Sequence, residues 1–159
     1  MEFPFDEVYE KKSKLTLEVV KKNGVKIKPG VHEILEHLNK ENYKIAVATS
    51  TRRERALQLL EEAKIKEKVD YVVCGDQVKN SKPDPEIFLK AAEGLAVSPD
   101  QCVVIEDSDA GIKAAYAANM TSIHVPDMKV LDAENKKLVF KICKNLVDVK
   151  NILEEIKEN

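Results

Sequence analysis

The stretch Cys102-Val103-Val104-Ile105-Glu106-Asp107-Ser108-Asp109-Ala110-Gly111-Ile112 sets the fold class of this chain. Cys102 to Ile105 is a short, continuous apolar run with β-branched members, the pattern of a strand buried on both faces. Two carboxylates follow at once, and Asp109 to Ala118 then reads as an Ala-rich helix. The same strand-then-helix cycle surrounds this stretch. Upstream, Val31, Ile34, Leu35 and Leu38 form a helical stripe closed by 39–42, and Tyr43 to Ala48 is a second apolar run. Thr51-x-x-Glu54 is a capping-box pattern that opens a helix burying Ala56, Leu57, Leu59, Leu60 and Ala63. Tyr71 to Cys74 is a strand ending at Gly75. Ser81 to Pro85 is a loop, because Pro83 and Pro85 each deny helix to the residue before them. Glu86 to Leu95 is a helix burying Ile87, Phe88, Ala91 and Leu95. Downstream, Thr121 to Val125 is a strand ending at Pro126, and Val149, Ile152, Leu153 and Ile156 mark a last amphipathic helix. Four strands alternating with helices predict βαβ units and a parallel α/β sheet.

The first 28 residues differ. Asp6 to Lys22 reads as a helix, but its stripe of Val8, Leu15, Val19 and Val20 is interrupted by Glu10 to Lys14, and no buried strand precedes it. Asn23-Gly24 and Lys28-Pro29-Gly30 separate it from the rest, so it is expected to lie outside the sheet. The chain has 159 residues, 43% hydrophobic and 34% charged, which suits one globular core and not a disordered segment. A net charge of −2 gives no basic excess, so neither nucleic acid nor an anionic membrane is an expected partner. No apolar run reaches the roughly 20 residues of a membrane span, and the N-terminus lacks the basic and apolar regions of a secretory signal. Cys74, Cys102 and Cys143 are odd in number and widely spaced, which reads as free thiols in a reducing cytoplasm. No Cys-x-x-Cys pair suggests zinc, and no Gly-x-Gly-x-x-Gly suggests a dinucleotide.

In a parallel sheet the residues at the carboxyl ends of the strands are the candidates for chemistry. Three such ends carry suggestive residues. Thr49-Ser50-Thr51 offers hydroxyls and helix N–H groups to an anion, or simply caps the next helix. Lys82, set between Ser81 and Pro83, would neutralise phosphate charge, or else is a solvated lysine. Glu106-Asp107 offers oxygen ligands to Mg²⁺, or merely complements a helix dipole. Each alone has a bland reading. Their appearance in order at successive strand ends supplies a phosphate cradle, a charge clamp and a metal site, which is what phosphoryl transfer needs.

These segments resemble the second, third and fourth motifs of the haloacid dehalogenase-like (HAD) hydrolases: Val47-Ala48-Thr49-Ser50, Ser81-Lys82-Pro83-Asp84-Pro85-Glu86-Ile87-Phe88, and Val103 to Ile112. The similarity is greatest to the branch of β-phosphoglucomutase and phosphoglycolate phosphatase, and it covers about Lys28 to Val125. The resemblance implies a three-layer Rossmann-like core and a Mg²⁺-dependent phosphatase or phosphomutase acting on a small phosphorylated metabolite. It implies that Thr49 binds the transferring phosphoryl group with help from the Ser50 N–H. Lys82 would hold phosphate and nucleophile together, Asp107 would ligate Mg²⁺, and Glu106 would support the metal or its waters. Arg52 or Arg53 would contact substrate.

The chain departs from the family in one respect. The first motif, a buried strand ending in Asp-x-Asp, is absent: only Asp6 lies upstream, with no apolar strand before it. Asp107-x-Asp109 is not a substitute, since Lys82-Pro83-Asp84-Pro85 precedes it at the spacing of the fourth motif. The division expected is a remnant of a helical cap over 1–28 and an HAD-like core over 29–159, truncated and lacking its central strand. The phosphatase should then be impaired or inactive as this chain alone. The alternatives are a non-catalytic phosphate-binding module, a self-associating domain, and one half of a split enzyme. The missing strand would leave two buried edges with unpaired backbone groups. Compensation is therefore expected, by direct pairing of the flanking strands, by a homodimer, or by a complementing N-terminal fragment.

Overall fold

The computed structural model describes residues 5–127 and 130–158, without the side chains of 5, 6 and 156–158. Ile156 of the last stripe and the carboxyl group of Asp6 thus lie outside the described residues. In chain order the elements are α1 (Phe5–Asn23), α2 (Val31–Lys40), β1 (Ala46–Thr49), α3 (Arg53–Glu62), β2 (Tyr71–Cys74), α4 (Glu86–Leu95), β3 (Val103–Glu106), α5 (Asp109–Ala117), β4 (Thr121–His124), β5 (Lys141–Ile142) and α6 (Leu146–Glu158). Every strand pairing is parallel. The four expected strands are all present. The fifth, β5, is two residues long with both exposed, so no apolar run announces it.

Two apolar clusters sandwich the strands. Ile87, Phe88, Ala91 and Ala92 of α4 pack with Ala114, Ala115 and Ala118 of the α5 region and with Val73 and Val104. Ile34 of α2 packs with Val149 and Leu153 of α6 and with Ile123. Val104 enters the first cluster while Ile123, in register with the next residue Ile105, enters the second. Alternate residues of a strand point to opposite faces, so the clusters are the two outer layers. The three cysteines are free, with Cys74 and Cys143 buried.

Two local expectations are corrected. Thr51 and Glu54 form no capping box: α3 begins after Arg52 and has no side-chain cap. Asp76 takes over instead, its Oδ1 accepting from the Arg53 N–H at 3.0 Å. The Thr51 N–H is satisfied by the Thr49 hydroxyl at 3.2 Å. Leu57 and Leu59 of that helix are only half-buried, whereas Ala56, Leu60 and Ala63 are buried.

The sheet does not close across its middle. Among the described residues β1 pairs only with β2, while β3 pairs with β4, which pairs with β5. Of the three expected forms of compensation, direct pairing of the flanking strands does not occur. Between β1 and β3 lies a cavity of about 220 Å³, and Val103 and Ile105 of β3 remain 39% and 37% exposed. Helix α4 packs on β1 and β2 and also meets α5, so it lies along one face of the gap.

Helix α1 leaves Val8, Leu15 and Val19 exposed. It meets the remainder through Tyr9, whose ring lies 4.4 Å beneath the Arg52 guanidinium and whose hydroxyl accepts from the Arg52 N–H at 3.4 Å.

Candidate active site

Strands β1 and β3 both end at one cavity of about 600 Å³, lined by Thr49, Ser50, Lys82, Glu106 and Asp107. The three motifs, up to 58 residues apart in the chain, therefore converge. Two glycines allow the close approach. A Cβ on Gly75 would lie 2.3 Å from the Ser50 carbonyl oxygen, so the turn after β2 fits only without a side chain. A Cβ on Gly111 would lie 2.0 Å from the Glu106 carboxyl group, which occupies that space above the first turn of α5.

Glu106 is the hub. Its Oε1 accepts from Lys82 Nζ at 2.5 Å. Its Oε2 accepts from the N–H groups of Asp107 and Ser108 at 2.7 and 2.9 Å and from the Ser108 hydroxyl at 3.0 Å. The Ser108 hydroxyl oxygen in turn accepts from the Gly111 N–H at 3.1 Å, capping α5. Lys82 and Glu106 side chains are 14% and 8% exposed. Burial pushes the Glu106 carboxyl group up, but the hydrogen bond and charge of Lys82, with the two N–H groups, outweigh it and hold it below the ordinary value. Lys82 Nζ also sits 4.8 Å over the Phe88 ring. Both Glu106 oxygens thus accept from the protein, and Glu106 orients Lys82 and the turn at Asp107 and Ser108.

Asp107 is exposed at the cavity. Partial burial raises its carboxyl group, and the neighbouring Glu106 raises it further, with a smaller push from Asp127. A carboxylate held against a like charge is relieved by a cation. Among the described residues, however, no group of three His, Cys, Asp or Glu side chains is arranged to hold a metal ion. Mg²⁺ commonly binds through one or two carboxylates, completing its shell with water and phosphate. Asp107 fits that role, with Glu106 beside it and Glu106 Oε1 accepting from Lys82 Nζ.

The arginines part company. The Arg53 guanidinium reaches the Val72 carbonyl oxygen at 3.4 Å and Gln77 Oε1 at 3.2 Å, away from the cavity. Arg52 lies over Tyr9 and is not among the cavity's lining residues either. Asp109 is turned aside as well, its Oδ1 accepting from Asn135 Nδ2 at 2.5 Å and from the Asp132 N–H at 3.1 Å. Lys28, Asp127, Lys144 and Asn145 also line the cavity, with Lys28 and Asp127 ion-paired. They lie outside any motif, and no local pattern marks them.

The fold and site define a parallel α/β protein with a lysine-bearing, acid-rimmed cavity at its strand ends. The family model for haloacid dehalogenase-like hydrolases matches residues 4–125, and the chain belongs to that family. It is 43% identical over 117 residues to a phosphorylated carbohydrates phosphatase of Thermotoga maritima, covering 74% of this chain and 52% of that protein. It is 40% identical over 97 residues to the β-phosphoglucomutase of Bacillus subtilis, covering 61% of this chain and 42% of that one. The solved structure of β-phosphoglucomutase from Clostridium difficile superposes with a TM-score of 0.71 at 34% identity, over 83% of this chain and 57% of that chain. The chain thus spans about half the length of these relatives. The expected fold holds: a parallel α/β core in two short sheets with the central strand missing between them. No helix among the described residues is long and apolar enough to cross a membrane.

Proposed function

We propose that this chain is the phosphate-handling core of a phosphatase or phosphomutase acting on a small phosphorylated, sugar-like metabolite. The convergence of Thr49, Ser50, Lys82 and Asp107 on one cavity carries this reading. The relatives named for phosphorylated carbohydrates and for β-phosphoglucomutase support the substrate class. The Thr49 hydroxyl and Ser50 N–H would hold phosphoryl oxygens. Lys82, positioned by Glu106 and resting on Phe88, would neutralise their charge. Mg²⁺ held by Asp107 would add further charge neutralisation. Residues 1–28 would be the remnant of a helical cap, with 29–159 the core.

Among the described carboxylates at the cavity, Glu106 is held by Lys82 and two N–H groups, Asp107 is the one assigned to Mg²⁺, and Asp127 is paired with Lys28, while Asp109 is turned to Asn135. The chain alone is therefore expected to bind phosphate while turning it over at background rates. The test titrates inorganic phosphate with Mg²⁺ and assays p-nitrophenyl phosphate and sugar phosphates, for the unaltered chain and for Lys82→Ala. Phosphate binding weakened about tenfold or more by the substitution supports the reading; a hydrogen bond to a charged group is worth roughly 1.5–3 kcal/mol. Turnover that Lys82→Ala abolishes would show that the chain holds its own nucleophile. Equal phosphate binding by both proteins would remove the proposed site.

A further inference from the structure

A further cavity, of about 240 Å³, lies between α1 and α3. It shares the Thr49–Ser50 turn with the site cavity, but none of Lys82, Glu106 and Asp107 lines it. Lys12 and Ser13 line it from α1, and Thr51 and Arg55 from the start of α3. Two cations and several hydroxyl groups thus border this space, and no carboxylate does.

Arg55 is the anomaly. Its Nη1 donates to Gln58 Oε1 at 3.1 Å. Its Nε and Nη2 are buried and have no hydrogen-bond partner among the described residues. A buried N–H left unpaired costs the desolvation of that group, and costs more on a charged one. The two orphaned atoms belong together. They form one edge of the planar guanidinium, whose parallel N–H bonds match two oxygens of a carboxylate or phosphate. Water would satisfy those N–H groups, but it would leave the charges of Arg55 and Lys12 uncompensated in a space without a carboxylate.

Helix α1 supports the same reading. It keeps Val8, Leu15 and Val19 exposed, so apolar packing is not its main hold on the core. The Thr16 hydroxyl donates to the Lys12 carbonyl oxygen at 2.9 Å. That leaves Lys12 Nζ and the Ser13 hydroxyl as the donors from this side.

We propose that this cavity is a binding site for a small free oxyanion, a phosphate or a carboxylate, held on the Nε–Nη2 edge of Arg55 with Lys12 completing the charge. The bound anion ties α1 to α3. The site uses neither Lys82 nor Asp107, so this inference and the phosphate reading of the other cavity can fail separately.

The test uses the full chain without Mg²⁺. Lys82→Ala removes the lysine of the other cavity, so inorganic phosphate titrated into that variant reports on this one. Sodium chloride at matched ionic strength is the control. The expected result is one phosphate per chain by isothermal titration, with slower amide exchange at 9–16 that chloride does not reproduce. Adding Arg55→Met should weaken that binding about tenfold or more and abolish the slowing, since both N–H bonds to the anion are lost. Arg55→Lys keeps the charge and loses the paired edge, so its affinity should fall between the two. Three results would overturn the proposal: no phosphate bound by Lys82→Ala at tens of millimolar, binding unchanged by either Arg55 substitution, or slowing at 9–16 that chloride matches.

Discussion

Removing the carboxyl group of Glu106 should cost more than removing the lysine it holds. Glu106→Ala strips Lys82 of its partner at 2.5 Å and leaves two N–H groups, of Asp107 and Ser108, and the Ser108 hydroxyl without their acceptor. Breaking a buried ion pair from one side costs about 3–5 kcal/mol when the remaining charge stays buried. Lys82 is 14% exposed and has a flexible stem, so it can turn towards the site cavity and recover part of that loss. The net expectation is about 2–4 kcal/mol, a large share of the roughly 5–15 kcal/mol that holds a domain. At about 2–4 °C per kcal/mol for a chain of this size, Tm should fall by roughly 5–15 °C. Lys82→Met keeps three of the four Glu106 hydrogen bonds and should cost only about 1–2 kcal/mol. The double variant should then show a coupling of about 1–3 kcal/mol in urea unfolding at neutral pH. Because the Glu106 carboxyl group is depressed in the folded state, its stabilisation is present above the ordinary carboxylate value. The coupling should therefore disappear as pH falls through the depressed value. Losses that add within about 0.5 kcal/mol at neutral pH would refute the hub role given to Glu106.

Gly111→Ala drives a Cβ to within 2.0 Å of the Glu106 carboxyl group. The helix gains about 1 kcal/mol from alanine, but overpacking costs about 1–3 kcal/mol, and phosphate affinity should drop as Lys82 loses its orientation; isothermal titration and urea unfolding read the two effects separately. Asp107→Asn removes a carboxylate whose folded value is raised, so its ionisation opposes folding as pH rises through that value. The variant should gain on the order of 1–2 °C in Tm at pH 7 while losing any Mg²⁺-dependent shift in Tm. Glu86 is held down to about 2 by the N–H groups of Asn80 and Lys79, with Lys90 assisting. Its contribution is present above the unfolded carboxylate value and lost as pH falls towards 2, so Glu86→Gln should destabilise the chain at pH 6 and leave it little changed near pH 2, as acid-unfolding curves would show.

The β-branched runs at Val103–Ile105 and Tyr71–Cys74 determined a parallel α/β fold without any structure, because a strand covered on both faces has no other composition. The fourth motif was legible for a similar reason. Ser108 caps α5 through the Gly111 N–H, and the side-chain-free position at Gly111 admits the Glu106 carboxyl group, so local rules wrote that pattern into ten consecutive residues. The capping box at Thr51 misled because Asp76, 23 residues beyond Arg53, supplied the bond that a local rule assigned to a neighbour. Lys28 and Asp127 at the cavity, the strand Lys141–Ile142 and the diversion of Asp109 to Asn135 have no sequence signal, since each depends on partners brought from far along the chain. The sequence by itself determined which residue types gather at the strand ends, and that the central strand is missing. Only the tertiary structure decided that Glu106 is bonded to Lys82, and that the inner edges of β1 and β3 face each other unpaired across a cavity.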